Sequence, residues 1–212
     1  MGTSTVRAAG QDPTREAFPS GQGAPLVAAE DLVAGYDRPV LGPVTFRVSP
    51  GEVVGIWGPN GAGKSTLLNA VAGWARVHGG RLERPRDLSL AYQGQRPVRL
   101  PEMPFRGREY LTYLDAHHAE PPARLADWLD RRIDRLSGGQ FQLLTVWACL
   151  ASGADLVLLD EPSNNLDPQA LDSLTELLRT REGHGAVLVV SHEGGFLEAA
   201  CDRCVEVAPW TP

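Results

Sequence analysis

Short apolar runs alternate along this chain with longer segments in which apolar residues recur at helical spacing. The runs at residues 53–57, 155–160 and 186–190 are nearly continuous in Val, Leu and Ile, as is typical of strands buried on both faces of a parallel sheet. Helices are predicted at residues 65–74, 141–150 and 168–181. The alternation predicts an α/β fold whose mainly parallel sheet is covered by helices on both faces.

Weaker patterns complete this outline. Strands are predicted at residues 26–33, 44–48, 81–83, 88–92 and 204–207. Residues 106–132 are predicted to be helical in two pieces, separated at Pro121 and Pro122. Residues 1–24 are rich in Gly, Pro, Ser and Thr and lack periodicity. We therefore expect a disordered leader followed by one domain over residues 25–212.

A glycine-rich stretch lies between the first buried strand and the helix that follows it. It fits the pattern Gly, four residues, Gly-Lys-Ser, in which backbone N–H groups and a helix N-terminus cradle a polyphosphate. In this context Lys64 is expected to bridge the terminal phosphates, and the Ser65 hydroxyl to ligate Mg²⁺. The stretch consists of Gly58, Pro59, Asn60, Gly61, Ala62, Gly63, Lys64, Ser65 and Thr66.

Further polar residues come directly after two other buried strands. Asp160 and Glu161 end one run, and His192 follows the next. Ligands of parallel sheets bind beyond the carboxyl ends of the strands, so these residues are expected to meet the phosphate loop at one edge. An aspartate there can hold Mg²⁺, and the glutamate can then orient or deprotonate an attacking water.

The motif Leu136-Ser137-Gly138-Gly139-Gln140 resembles the signature of ATP-binding cassette (ABC) ATPases, and the order of motifs agrees over residues 26–207. The resemblance implies the phosphate-loop ABC-ATPase fold, with an N-terminal antiparallel β subdomain and a helical subdomain at about residues 97–150. It also implies ATP and Mg²⁺ as cofactors. The resemblance implies that Tyr36 stacks on the adenine, that Gln95 senses Mg²⁺ and the water, and that Asp160 binds Mg²⁺. It further implies that Glu161 is catalytic, that His192 contacts the γ-phosphate, and that a loop ending at Asp167 crosses between subunits.

The signature opens a helix at Ser137, which makes a second anion site. In the family this site closes on the nucleotide of another subunit, so the resemblance implies a head-to-tail homodimer formed on ATP. It implies an ATPase subunit of a transporter, with membrane permease subunits on separate chains. Residues 95–114 show a short resemblance to metal-ion importers. That the transporter exports its substrate instead is an alternative that stays open. The alternative is a soluble ABC ATPase of translation or DNA repair; a metabolic kinase would leave the signature unexplained.

Composition indicates which partners and which cellular compartment to expect. The net charge of −6 disfavours direct nucleic-acid binding, which needs clustered Lys and Arg. No apolar run is long enough to cross a bilayer and no signal peptide opens the sequence, so we expect a cytoplasmic protein. The transporter resemblance implies that it lies at the inner face of the membrane, bound to its partner subunits. Cys201 and Cys204 are interpreted as structural, with a metal or redox role as the alternative. His117 and His118 are interpreted as a solvated pair on different faces of a helix.

Overall fold

The computed structural model describes residues 4–6, 24–95, 104–180 and 185–211. The strands are β1 (Ser4–Val6), β2 (Val27–Gly35), β3 (Pro39–Val48), β4 (Val53–Trp57), β5 (Arg76–Glu83), β6 (Leu90–Gln93), β7 (Leu156–Asp160), β8 (Ala186–Val190) and β9 (Arg203–Glu206). The helices are α1 (Lys64–Ala72), α2 (Gly107–Tyr113), α3 (Ala123–Leu129), α4 (Gly138–Leu150), α5 (Pro168–Arg179) and α6 (Gly194–Ala200), with a 3₁₀ turn at Ile133–Arg135.

A six-stranded sheet with the order β1-β6-β7-β8-β4-β9 forms the centre of the fold. All neighbours from β6 to β9 are parallel, and β1 pairs antiparallel with β6. A second sheet, β3-β2-β5, is antiparallel. The mainly parallel sheet and the antiparallel β subdomain that the sequence analysis predicted are thus confirmed.

Alternate residues of the central strands face two separate cores. Along β7, Val157 and Leu159 pack with helices α2 to α6, while Leu156 and Leu158 pack with α1 and the antiparallel sheet. A strand that is apolar at every position is required here, because both of its faces are covered. The arrangement leaves the carboxyl ends of β4, β7 and β8 at a common edge of the sheet.

The predicted and observed bounds agree best for strands in the middle of the six-stranded sheet. The predictions for β4 and β8 match the observed bounds. Strand β5 begins at Arg76, five residues before the predicted start, and includes Gly79 and Gly80. Gly80 lies in β5 at φ 68°, and a Cβ there would come within 2.1 Å of the Asp31 carbonyl oxygen. Glycine therefore permits the close pairing of β5 with β2.

Two predictions are corrected. Ser4–Val6, within the predicted disordered leader, forms a strand that pairs with β6. His117 and His118 lie in the segment between α2 and α3, so the argument that a helix separates them is wrong. Residues 97–103 of the predicted helical subdomain, and 7–23 of the leader, are outside the described residues. Within the described ranges, no helix combines the length and the apolar character needed to span a membrane.

Candidate nucleotide site

The phosphate loop connects β4 to α1 as the sequence indicates. Gly61 and Gly63 have φ values of 83° and 88°, in the left-handed region that glycine adopts readily. A Cβ on Gly63 would also lie 2.7 Å from the Leu41 side chain, so the turn excludes larger residues at this position. Within the described part of the chain no side chain caps α1. The first-turn N–H groups of α1 are thus available to an anion.

Lys64 lies under the phosphate loop and is almost fully buried. Its Nζ donates to the carbonyl oxygens of Gly58, at 2.9 Å, and Pro59, at 3.3 Å. The same Nζ is 3.4 Å from Oε1 of Glu161, which is also buried. The ammonium group is therefore held by oxygen partners that a phosphate could replace.

Ser65, Asp160 and Gln95 meet beside this lysine. Ser65 Oγ donates to Asp160 Oδ1 at 2.9 Å, and Gln95 Nε2 donates to Ser65 Oγ at 3.0 Å. Gln93 instead is buried, and its Nε2 donates to the Gly94 carbonyl. Hydroxyl, carboxylate and amide oxygens are the ligands that Mg²⁺ prefers, so these three residues fit that ion.

Tyr92 supports the same aspartate and had no role in the sequence analysis. Its hydroxyl donates to Asp160 Oδ2 at 3.3 Å. Burial, and after it the charge of Asp160, raise the pKa of Tyr92, so the hydroxyl stays protonated and remains a donor. Burial also raises the pKa of Asp160, although hydrogen bonds from Ser65, Tyr92 and Gln95 oppose this shift. A cation bound there would favour the ionised carboxylate.

Glu161 is held between the phosphate loop and the end of β8. Its backbone has φ 51°, and its N–H donates to the Val190 carbonyl at 3.0 Å. Its Oε2 is 2.8 Å from His192 Nδ1 and accepts from the His192 N–H at 3.2 Å. The loop itself is pinned by a hydroxyl pair, Ser163 and Ser191, at 2.9 Å. Glu161 can thus exchange a proton with a group in the cleft while its position is fixed.

Several of these residues line one cleft of about 330 Å³, whereas Asp160, Tyr92 and His192 are not among its walls. Its walls are formed by Val40, Asn60, Gly61, Gly63, Lys64, Ser65, Thr66, Gln95 and Glu161. Tyr36 lies at the end of β2, about half exposed, and its hydroxyl accepts from Asn69 Nδ2 at 2.7 Å. Asn69 is on α1, so this hydrogen bond fixes the tyrosine ring to the helix that follows the phosphate loop. The ring is therefore a separate apolar surface outside the cleft walls.

The signature residues form a second structure that does not line this cleft. Ser137 caps α4: its Oγ accepts from Gln140 N at 3.1 Å, and Gln140 Oε1 accepts from Ser137 N at 3.0 Å. This capping box leaves Ser137 and Gly138 exposed at the start of a helix. Asp167 caps α5 by accepting from Ala170 N at 2.8 Å. In one chain, the predicted nucleotide contacts therefore fall into two groups.

Comparison with known proteins identifies a family and several relatives. A family profile described as ABC transporter matches residues 41–164. The zinc import ATP-binding protein ZnuC of Paracoccus denitrificans (strain Pd 1222) is 38% identical over 191 residues, covering 85% of this chain and 75% of its own length. The protein of that name from Marinobacter nauticus (strain ATCC 700491 / DSM 11845 / VT8) is 35% identical over 189 residues, covering 85% and 74%.

Solved structures resemble the fold over most of the chain. An ATP-binding subunit of an ABC transporter superimposes with a TM-score of 0.68 at 26% identity, covering 86% of both chains. A metal-chelate type ABC transporter in an inward-facing conformation gives a TM-score of 0.69 at 23% identity, covering 86% of this chain and 80% of its own. At that identity the second likeness concerns the fold alone.

Proposed function

Because the chain belongs to the ABC transporter family as an ATP-binding subunit with ATPase activity, we propose that it powers the import of a divalent metal ion, zinc in the first instance. The observation that carries the proposal is the cluster of Lys64, Glu161 and His192 at the phosphate-loop cleft, because these groups suit ATP hydrolysis. The choice of zinc is supported by the similarity to two proteins named for zinc import. Membrane subunits on separate chains would carry the ion, with this subunit on their cytoplasmic side.

The proposed roles are those that the family resemblance implies, and the contacts of Lys64, Ser65 and Asp160 support them. Lys64 binds the terminal phosphates, exchanging its present carbonyl and carboxylate partners for phosphate oxygens. Ser65, Asp160 and Gln95 would hold Mg²⁺, which would supply positive charge to neutralise the phosphates. Glu161 takes the proton of the attacking water, and His192 contacts the γ-phosphate. Tyr36 stacks on the adenine from its position beside α1.

Tyr92→Phe tests the proposed support of Asp160. The change removes only the hydroxyl that donates to Asp160 Oδ2. We expect the Mg²⁺ concentration needed for half-maximal ATPase activity to rise about tenfold, as is usual when an outer partner of a metal ligand is lost. Phosphate release measured against Mg²⁺ concentration gives this value. Tyr113→Phe, at an exposed tyrosine, is the matched control, and equal Mg²⁺ dependence in both variants would contradict the assignment.

The partner for nucleotide binding is proposed to be a second copy of this chain. Ser137 and Gly138 begin α4 at the surface, and N–H groups at such a position bind anions. A phosphate held in one subunit's loop would then be clamped by the signature of the other. Two copies arranged head to tail would complete two sites, each with groups from both subunits.

Gly138→Asp is the sharpest test of this clamp. An added Cβ at Gly138 would meet no heavy atom of the described residues within 4 Å, and an acid at a helix start suits the helix dipole. The fold should therefore persist, while the new charge repels the γ-phosphate. In a Glu161→Gln background, light scattering with MgATP should show a dimer, and Gly138→Asp should give only monomer. Ala123→Asp, at the start of α3, is the control that should still dimerise. A strict monomer with ATP bound in the Glu161→Gln protein would contradict the clamp.

The transport proposal is tested with the membrane partner. The tagged chain is purified from detergent-solubilised membranes of its own cells, and the complex is placed in liposomes. We expect co-purification of a multispanning protein and ATP-dependent uptake of radioactive zinc, lost in Glu161→Gln. Uptake of manganese or an iron chelate in place of zinc would correct the substrate. Co-purification with ribosomes or DNA-repair proteins alone would overturn the transport proposal.

A further inference from the structure

A group of side chains of types that can bind metal lies in the segment between α2 and α3, which carries none of the predicted nucleotide residues. The segment turns sharply after α2, where Asp115 adopts φ 57°. It is fixed by the N–H of Asp115 to the Thr112 carbonyl at 3.1 Å and by the N–H of Ala116 to the Leu111 carbonyl at 2.8 Å. Ala116 is fully buried in the core. The backbone of Asp115 and Ala116 is thus anchored, and His117 and His118 follow it directly.

The turn gathers donor atoms of three side chains, those of Asp115, His117 and His118. One donor atom of each lies within 4.8 Å of the other two. Asp115 Oδ1 is 3.3 Å from His118 Nε2 and 3.9 Å from His117 Nδ1, and the imidazole centroids are 3.8 Å apart. Ligand atoms on a tetrahedral Zn²⁺ are separated by about 3.3 Å, since each lies about 2.0 Å from the ion. Small side-chain rotations would therefore bring all three donors onto one ion.

We propose that Asp115, His117 and His118 form a binding site for a divalent transition-metal ion of the Zn²⁺ type. Two imidazoles and one carboxylate suit Zn²⁺, Co²⁺ or Ni²⁺, whereas Mg²⁺ and Ca²⁺ prefer oxygen ligands alone. Three protein ligands leave a fourth position for water. All three side chains are exposed, by 78%, 43% and 68% respectively, so the ion would enter directly from solvent and exchange freely.

The site is independent of the nucleotide chemistry and of the proposed transport function. It is the only group of three such side chains that the described ranges bring together in this way. Occupation would tie Asp115 to the following histidines and stiffen the connection between α2 and α3.

The test follows each histidine separately, with Zn²⁺ alone as the probe. In metal-free protein labelled with ¹⁵N-histidine, imidazole signals are recorded at pH 7.5 without nucleotide. One equivalent of Zn²⁺ is expected to shift the ring nitrogens of His117 and His118 and to leave His78 unchanged, while Mg²⁺ shifts none of the three. Competition with a chromophoric chelator should then show that His118→Gln lowers the Zn²⁺ affinity at least about tenfold.

His78→Gln is the matched control, because His78 is exposed and lies outside the cluster. It should bind Zn²⁺ as the unaltered chain does. Unshifted His117 and His118 signals at one equivalent of Zn²⁺ would overturn the proposal. So would equal affinities of His118→Gln and the unaltered chain, since the ion would then be held elsewhere, such as at Cys201 and Cys204. Neither readout depends on ATPase activity, so failure here leaves the proposed function untouched.

Discussion

Glu161→Gln is expected to bind MgATP about as tightly as the unaltered chain and to hydrolyse it at least about 100-fold more slowly. The Glu161 carboxylate faces the cleft, is 5% exposed and has its Oε2 2.8 Å from His192 Nδ1. An amide of the same shape can still accept the N–H of His192, so the loop should keep its position. It cannot take a proton from water, because it has no basic oxygen at working pH. Binding and hydrolysis should therefore separate in this variant.

The separation is measured with two assays on one preparation. A fluorescent ATP analogue gives the affinity, and phosphate release at saturating MgATP gives the turnover rate. Glu198→Gln changes an exposed acid on α6 in the same way and should leave both values unchanged. If Glu161→Gln kept near-normal turnover, another group would have to be the general base. A large loss of affinity instead would mean that Glu161 acts mainly by holding Lys64.

The sequence predicts the residues at the carboxyl ends of the central strands better than it predicts the elements around them. Strands β4, β7 and β8 are apolar at almost every position, which only a sheet covered on both faces requires, so their ends could be placed. The residues that follow them, Lys64, Glu161 and His192, then meet because parallel strands end at a common edge. Apolar patterns along the strands, and the rule that parallel strands end at a common edge, were sufficient to predict this part of the site.

What escaped prediction depends on pairing between distant residues. Tyr92 reaches Asp160 because β6 pairs with β7 in a register that sets Tyr92 opposite Leu158, and no local pattern fixes that register. Apolar spacing alone placed the start of α4 at residue 141, whereas the signature motif indicated that a helix opens at Ser137. The structure agrees with the motif, because α4 begins at Gly138 with Ser137 as its cap. The turn at Asp115 ends α2 early because Ala116 is drawn into the core, which apolar spacing alone did not indicate.

Lys64→Met is expected to weaken ATP binding about 100-fold and to remove measurable hydrolysis. The methionine keeps the buried stem but loses the ammonium group, and a hydrogen bond between charged groups contributes up to about 3 kcal/mol. The same change leaves Glu161 buried without its lysine partner, which lay 3.4 Å away. The nucleotide-free protein should therefore lose up to about 3 kcal/mol of unfolding free energy. A fall in ATP binding could then reflect either a lost contact or a loosened fold.

The double variant Lys64→Met with Glu161→Gln distinguishes these causes. Neutralising Glu161 removes the buried charge that has lost its lysine partner, so the thermal midpoint without nucleotide should return toward that of Glu161→Gln alone. ATP binding should stay weak, because the phosphates still lack their cation. Differential scanning fluorimetry and nucleotide titration on all three variants give the complete cycle. If the double variant bound ATP as tightly as Glu161→Gln, Lys64 would serve only to hold the carboxylate, and the phosphate contacts would come from the loop N–H groups and the helix alone.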